Sequence, residues 1–123
     1  MNTTSQRDGA WLALAALSGL AAVGFGAFGA HGVADPQAKA WLATGAHYQL
    51  VHAVAAETAI LLRGQGWRPG VAALLFVVGG WIFGGTLYAM ALGGPRILGA
   101  VTPIGGLTLM AGWAALAWGG LRR

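Results

Sequence analysis

The sequence predicts an all-α, polytopic membrane protein whose four transmembrane helices form an antiparallel bundle. Of its 123 residues, 57% are hydrophobic and only 8% are charged, whereas a soluble domain carries about 25% charged residues. Four apolar segments each approach the roughly 20 residues that a helix needs to cross the hydrocarbon core of a bilayer. Because the connections are short, sequential helices are expected to be antiparallel neighbours, and residues 1–123 are expected to form a single membrane domain.

The four helices are predicted at residues 10–30, 40–62, 70–92 and 103–121. The first has no internal charge, and its apolar run exceeds the h-region of about 7–15 residues that is typical of a cleaved signal peptide. The second is the most polar. The fourth is predicted to begin with Thr102 as its cap and Pro103 in its first turn, where proline is tolerated. In the alternative, a start at Ile97 would place Pro103 inside the helix.

Lysine and arginine are distributed unequally between the two sides of the predicted bundle. One side, formed by both termini and the second connection, holds Arg7, Arg63, Arg68, Arg122 and Arg123, whereas the other holds Lys39 and Arg96. By the positive-inside rule, both termini are expected in the cytoplasm. The expected partner is thus the lipid bilayer. The net charge of +4 is interpreted as a topology signal and not as a nucleic-acid-binding feature.

A glycine pattern within the first segment matches the consensus sequence of a dinucleotide-binding loop but not its structural context. The stretch GFGAFG, at residues 24–29, has the form G-x-G-x-x-G. A nucleotide loop follows a strand and precedes a helix, and this stretch lies inside an apolar span. Small residues in membrane helices instead let helix backbones approach one another. The predicted helix-packing residues are Ser18, Ala22, Gly26 and Ala30 in the first helix and Gly80 and Gly84 in the third.

Polar and ionisable side chains in the second segment define a candidate intramembrane site, because such groups are costly in lipid unless they have partners. With a histidine at the end of the first helix, its members are His31, His47, Tyr48, Gln49, His52 and Glu57. At about 100° per residue, Thr44, Tyr48 and His52 share one face, whereas Gln49 and Glu57 point elsewhere. The partners expected on other helices are Thr86, Tyr88, Thr102 and Thr108.

No metal, cofactor or enzymatic activity is predicted. The chain has no cysteine, and His47 and His52 are not at the i, i+4 spacing that places two ligands on one helix face. Ligation of a metal or haem by two histidines is the only form the sequence would allow. Ser18 has no acidic residue placed to orient a base for it, so a serine nucleophile is not supported.

Four blocks in order resemble the membrane family known as domain of unknown function 423, whose animal members are called transmembrane protein 256. The blocks are GAFGAHG, WLATGAHYQLVHA, GGTLYAMAL and TPIGGLTLMAGW, and the resemblance runs from about Gly19 to Trp113. It implies a small polytopic protein of the bacterial inner membrane, or of eukaryotic membranes, and supplies no activity; for this chain we expect the bacterial inner membrane. The family positions map to Gly29, His31, Gly32, Gly45, Tyr48, Gln49, His52, Tyr88, Thr102, Pro103 and Gly105.

Two functions are consistent with these features. The first is a structural or accessory interaction subunit that packs through its small-residue faces, either with itself or within a larger membrane complex. The alternative is an oligomeric transporter of protons or a small cation, in which His52 and Glu57 would carry the protons.

Overall fold

The computed structural model describes residues 3–122 of the chain, with side chains from Gln6 onward. Arg123, part of the predicted charge asymmetry, lies outside the described residues. The described chain forms four helices, which are α1 (Thr3–His31), α2 (Pro36–Gly64), α3 (Ala72–Ala91) and α4 (Leu98–Leu121). The all-helical prediction is therefore confirmed.

Three of these helices are long and apolar enough to cross a membrane, namely α1 from Gln6 to His31, α3 and α4. Within residues 3–122, α2 does not reach the same hydropathy, because polar side chains occur along its length. Three of the four predicted spans thus have the necessary length and composition. The crossing of the membrane by α2 stays a prediction.

The first two helices are longer than the apolar segments that predicted them. Hydropathy locates the part of a helix that lies in hydrocarbon, whereas the backbone hydrogen bonds continue into the polar interface. The N-terminus of α2 is determined by a local capping interaction. The Asp35 carboxylate accepts a hydrogen bond from the Ala38 amide at 2.8 Å, and Pro36 occupies the first turn. This is an N-cap followed by proline, which places the helix start before residue 40.

The predicted start of α4 at Pro103, with Thr102 as its cap, is wrong. The helix begins at Leu98 and contains Pro103, close to the alternative start at Ile97. The Thr102 hydroxyl donates to the Leu98 carbonyl at 3.1 Å and lies 2.7 Å from the Thr86 hydroxyl on α3. Proline removes a single amide donor here, and buried Thr102 continues the helix before it through its bonds to Leu98 and Thr86.

Close contacts between the helices give their register. The facing pairs are Gly26 with Ala46 and Gly29 with Leu42 between α1 and α2, Gly45 with Gly84 between α2 and α3, and Gly79 with Leu109 and Gly112 with Phe76 between α3 and α4. Numbers rise along one helix as they fall along its neighbour, so sequential helices are antiparallel. Helix α1 packs mainly on α2 and lightly on α3, and α4 packs mainly on α3. The bundle is consequently open between α2 and α4.

The predicted small-residue stripe on α1 is only partly in the interface with α2. Ser18 and Ala22 are buried, and a Cβ at Gly26 would lie 3.2 Å from the Cβ of Ala46. Ala30 is exposed, and Gly29 is buried in its place. The reason is helical geometry, because steps of four residues drift by about 40° each, so a stripe at this spacing leaves the contact face.

The predicted small residues of α3 face α2. Gly80 and Gly84 are both buried. Cβ atoms at these positions would lie 3.6 Å from Gln49 Cγ and 3.3 Å from Gln49 Oε1, respectively. The two glycines thus make room for one long polar side chain of α2 in the centre of the bundle.

Candidate functional site

Gln49 is the centre of a buried polar network that joins three helices. Its side chain has no solvent exposure. Its Nε2 donates to the Ser18 hydroxyl on α1 at 3.0 Å, and its Oε1 accepts from the Tyr88 hydroxyl on α3 at 2.7 Å. The Tyr88 ring also stacks on Phe25 of α1, with centroids 4.1 Å apart. The network links α1, α2 and α3 in the order observed, and in this arrangement all three polar side chains have partners.

The sequence placed Thr44, Tyr48 and His52 on one face of α2 and Gln49 on another. The structure buries Gln49 and His52, while Thr44 and Tyr48 are exposed. Small residues that flank Gln49 carried the missing signal. Its helix neighbours Gly45, Ala46, Ala53 and Ala56 are all buried, so the packed face of α2 follows its glycine and alanine residues.

His52 forms a second polar contact, between α2 and α4. Its Nε2 lies 2.9 Å from the indole Nε1 of Trp113, which donates to it, and its Nδ1 lies 2.6 Å from the Tyr48 carbonyl oxygen. The neutral tautomer that carries its proton on Nδ1 satisfies both bonds. Trp113 was not among the sequence candidates. A tryptophan within an apolar helix has an N–H group that needs an acceptor, and this was the available signal.

Replacement of Trp113 by phenylalanine is expected to remove the bond to His52 while keeping an aromatic ring beside Phe76. The free energy of unfolding should fall by roughly 0.6–1.7 kcal/mol, the range for interhelical hydrogen bonds in membranes. Titration with SDS in mixed micelles would measure it. Trp81→Phe is the matched control, since Trp81 is exposed to a similar degree as Trp113, 42% against 46%. Among the hydrogen bonds of residues 6–122, only Trp113 of the two has a side-chain bond, so the control should give a much smaller change. Equal effects of the two substitutions would contradict the assigned role of Trp113.

A lateral groove lies beside the His52 contact. It has a volume of about 620 Å³, and its lining includes Tyr48 and His52 of α2, Phe83 of α3 and Met110 and Trp113 of α4. The Tyr48 ring contacts the Phe83 ring at a centroid distance of 4.8 Å. The groove exists because α4 packs on α3 and leaves a gap towards α2, so Tyr48 stays half-exposed at its rim.

The remaining candidate residues are not brought together. His31 and His47 are both exposed, and the α1–α2 register separates them by about 10 Å along the helix axis. Helices α2 and α3 are antiparallel, and Gly45 faces Gly84. Counting the same number of residues from this contact along both helices shows that Glu57 is level with Ala72, the first residue of α3. Glu57 is thus near the end of the apolar layer rather than at its centre. Within the described part of the chain, no three histidine or acidic residues are grouped as a metal site would require.

The side of α2 opposite its packed face carries polar side chains near the middle of the apolar layer. We call this side the outer face of α2 and define it by the exposed residues Thr44, His47, Val51, Val54, Thr58 and Leu61. The middle of α3 lies near residue 82. By the register that the contact between Gly45 and Gly84 defines, this residue is level with His47 of α2. Because α3 is apolar and about 30 Å long, His47 lies close to the middle of the layer that α3 would span.

Comparison with known proteins gives a consistent family and no activity. Residues 25–106 match the family described as "Protein of unknown function (DUF423)". The chain is 35% identical over 119 residues to the UPF0382 membrane protein of Haemophilus influenzae, across 91% of this chain and 94% of that protein. It is 36% identical over 117 residues to the UPF0382 inner membrane protein YgdD of Escherichia coli K12, across 90% and 88% of the two chains.

A eukaryotic relative shows similar coverage. The UPF0382 membrane protein C1782.12c of Schizosaccharomyces pombe is 39% identical over 113 residues, across 84% of this chain and 94% of that protein. No solved structure matches the chain.

Proposed function

This chain belongs to the DUF423 family of membrane proteins, and from that premise we propose that it is a non-enzymatic interaction subunit whose binding surface is the outer face of α2. The observation that carries the proposal is the exposure of His47 at the middle of the apolar layer. Ionisable groups inside membranes almost always face a bundle interior or a water-filled cavity. In the isolated chain His47 faces neither, so a partner in the membrane would cover it.

The proposal requires α2 to cross the membrane. Helices α1 and α3 run in the same direction, because each is antiparallel to α2. If both span the bilayer, the chain has to return between them, and α2 is the helix that connects their opposite ends. Four spans then place both termini on one side. The bias of lysine and arginine supports the cytoplasmic side of the bacterial inner membrane.

Polar groups on the outer face have unused hydrogen-bonding capacity. Among the hydrogen bonds of residues 6–122, none involves the side chain of Thr44 or His47, and Thr58 bonds only to the Val54 carbonyl of its own helix. Facing lipid would leave the first two groups without any partner, at a cost that a protein contact removes. This favours a protein surface over an acyl chain as the covering group.

The small-residue faces do not supply the partner surface expected from the sequence. Gly29, Gly45, Gly79, Gly105 and Gly112 are all buried in contacts within the chain. Of the small residues in the prediction, Ser18, Ala22, Gly80 and Gly84 are buried and Gly26 is half-buried, whereas Ala30 is exposed. We therefore propose the intermolecular contact on α2, whose outer face is not covered by another helix within residues 3–122.

The transport alternative has less support. His52 and Glu57, the expected proton carriers, differ in both direction and depth, since Glu57 is level with the first residue of α3. Both ring nitrogens of His52 already have partners. An imidazolium has no acceptor, so a proton on Nε2 would require the Trp113 bond to break first.

Substitution of His47 by alanine is expected to weaken the assembly roughly 3- to 20-fold, which corresponds to the loss of one interhelical hydrogen bond. Native mass spectrometry of the protein extracted in mild detergent, over a dilution series, would measure the fraction of assembled particles. Leu20→Ala is the control, because Leu20 is 69% exposed on α1 and faces lipid in this proposal. A particle that is monomeric at every concentration would contradict the proposed function.

A further inference from the structure

The partner that best fits the outer face of α2 is a second copy of the same chain. We infer that two copies associate through parallel α2 helices, about a two-fold axis normal to the membrane. This inference rests on the proposed function, because it names the occupant of the same surface. Two independent observations carry it, one from the spacing of the exposed residues and one from their chemistry.

The exposed residues of the outer face follow the spacing of a coiled-coil seam. Thr44, His47, Val51, Val54, Thr58 and Leu61 alternate steps of three and four residues, and all six are exposed. In heptad notation Thr44, Val51 and Thr58 occupy a positions, and all three are β-branched. Parallel two-stranded coiled coils favour β-branched residues at a and leucine at d. The d positions here are His47, Val54 and Leu61, so the a positions match this preference and one d position does. Membrane helix pairs commonly adopt the same left-handed crossing.

The seam lies directly opposite the side that packs within the chain. At about 100° per residue, its centre is about 180° from the centre of the buried positions around Gln49, Ala53 and Ala56. The buried side therefore contacts α1 and α3 while the seam remains free along the length of α2. Val51, Val54 and Leu61 are 44%, 56% and 63% exposed. A second helix can approach here without displacing α1 or α3.

The polar residues of the seam can pair with copies of themselves. A two-fold axis along the membrane normal brings like residues together, because both copies enter the membrane in the same orientation. Neutral histidine and threonine each have a donor and an acceptor, so His47 can bond His47 of a second copy and Thr44 can bond Thr44. Lysine or glutamate could not do this, and the charged residues of α2 lie off the seam, at Lys39, Glu57 and Arg63.

A single-cysteine scan tests this geometry in native membranes, since the chain has no cysteine of its own. Val51→Cys and Val54→Cys lie at the a and d positions, where like residues of two parallel helices come within disulfide distance. Both variants are expected to form a disulfide-linked dimer on mild oxidation. Leu50→Cys is the matched control, because Leu50 is 41% exposed and lies at a g position beside the seam, where like residues are farther apart than disulfide geometry allows; it should crosslink little.

The possible outcomes separate this inference from the proposed function. Strong crosslinking at residues 51 and 54, with little at residue 50, supports the parallel dimer. Equal crosslinking at all three positions indicates random collision and overturns it. If no self-crosslinks form but native mass spectrometry shows a complex with another protein, the homodimer is overturned. The proposed role as an interaction subunit is then still supported. A monomer in both the scan and the native mass spectrum overturns both.

Discussion

Replacement of Gly105 by alanine is expected to lower the free energy of unfolding by about 1–3 kcal/mol, the usual range for overpacking a close contact. A Cβ at this position would lie 2.5 Å from the Phe83 backbone nitrogen and 2.9 Å from its Cα. Backbone atoms cannot rotate aside as a side-chain end does, so α4 would have to move away from α3. The movement would also stretch the bond between Thr86 and Thr102, now 2.7 Å. SDS titration in mixed micelles would measure the loss.

The neighbouring glycine provides a control with the same chemical change. A Cβ at Gly106 would lie 3.9 Å from its nearest neighbour, the Phe83 ring, which is an ordinary contact distance. Because alanine is the better helix former by up to about 1 kcal/mol, Gly106→Ala should leave stability unchanged or raise it slightly. Similar effects at the two positions would show that α4 does not pack on α3 through Gly105.

Removal of the Gln49 side chain is expected to have the largest effect on stability. Gln49→Ala leaves a cavity where α1, α2 and α3 meet, and large-to-small changes at buried sites cost about 2–5 kcal/mol. It also leaves the Tyr88 and Ser18 hydroxyls without their partner. The exposed Gln37 near the start of α2 gives the control, since Gln37→Ala should change stability by less than about 0.5 kcal/mol.

A double-mutant cycle separates the hydrogen bonds from the cavity. Gln49→Leu keeps most of the volume and removes the polar atoms, so it should cost only about 1 kcal/mol for two interhelical bonds. Tyr88→Phe should be destabilising alone and nearly neutral when residue 49 is already leucine, because its acceptor is gone. Strictly additive effects would mean that Gln49 and Tyr88 do not interact.

Composition and apolar length predicted the class of the protein correctly, because both follow from the energetics of lipid. They did not predict which residues meet. The face of α2 that is buried depends on where α1 and α3 lie, and polar residues such as Gln49 are buried only because Ser18 and Tyr88 come from other helices to meet them. Thr44 appeared equivalent to His52 in a one-helix projection, yet only His52 meets Trp113.

The ends of the helices were also only partly predictable from the sequence. Hydropathy found the apolar part of each helix but missed the start of α2 at Pro36, although Asp35 and Pro36 form a recognisable cap. For α4 the preference of proline for a first turn did not set the start of the helix, because residues 98–102 are already helical before Pro103. Proline is favoured in a first turn but is also tolerated further in, at the loss of one hydrogen bond.

Most of the family positions inferred from resemblance are buried, whereas His31, Gly32, Tyr48 and Pro103 are exposed. Cβ atoms at Gly29, Gly45 and Gly105 would each lie within 3 Å of an atom on a neighbouring helix. Gln49 and Tyr88 form the central hydrogen bond. The buried family positions are thus residues that hold the bundle together.

The distribution of contacts also shows how much of the bundle depends on its last helix. Ser18, Gln49 and Tyr88 all belong to the first three helices, so their network needs no residue of α4. Helix α4 is attached along α3 and through the bond between Trp113 and His52 of α2. Removal of α4 would therefore leave every hydrogen bond of the Gln49 network with its partner.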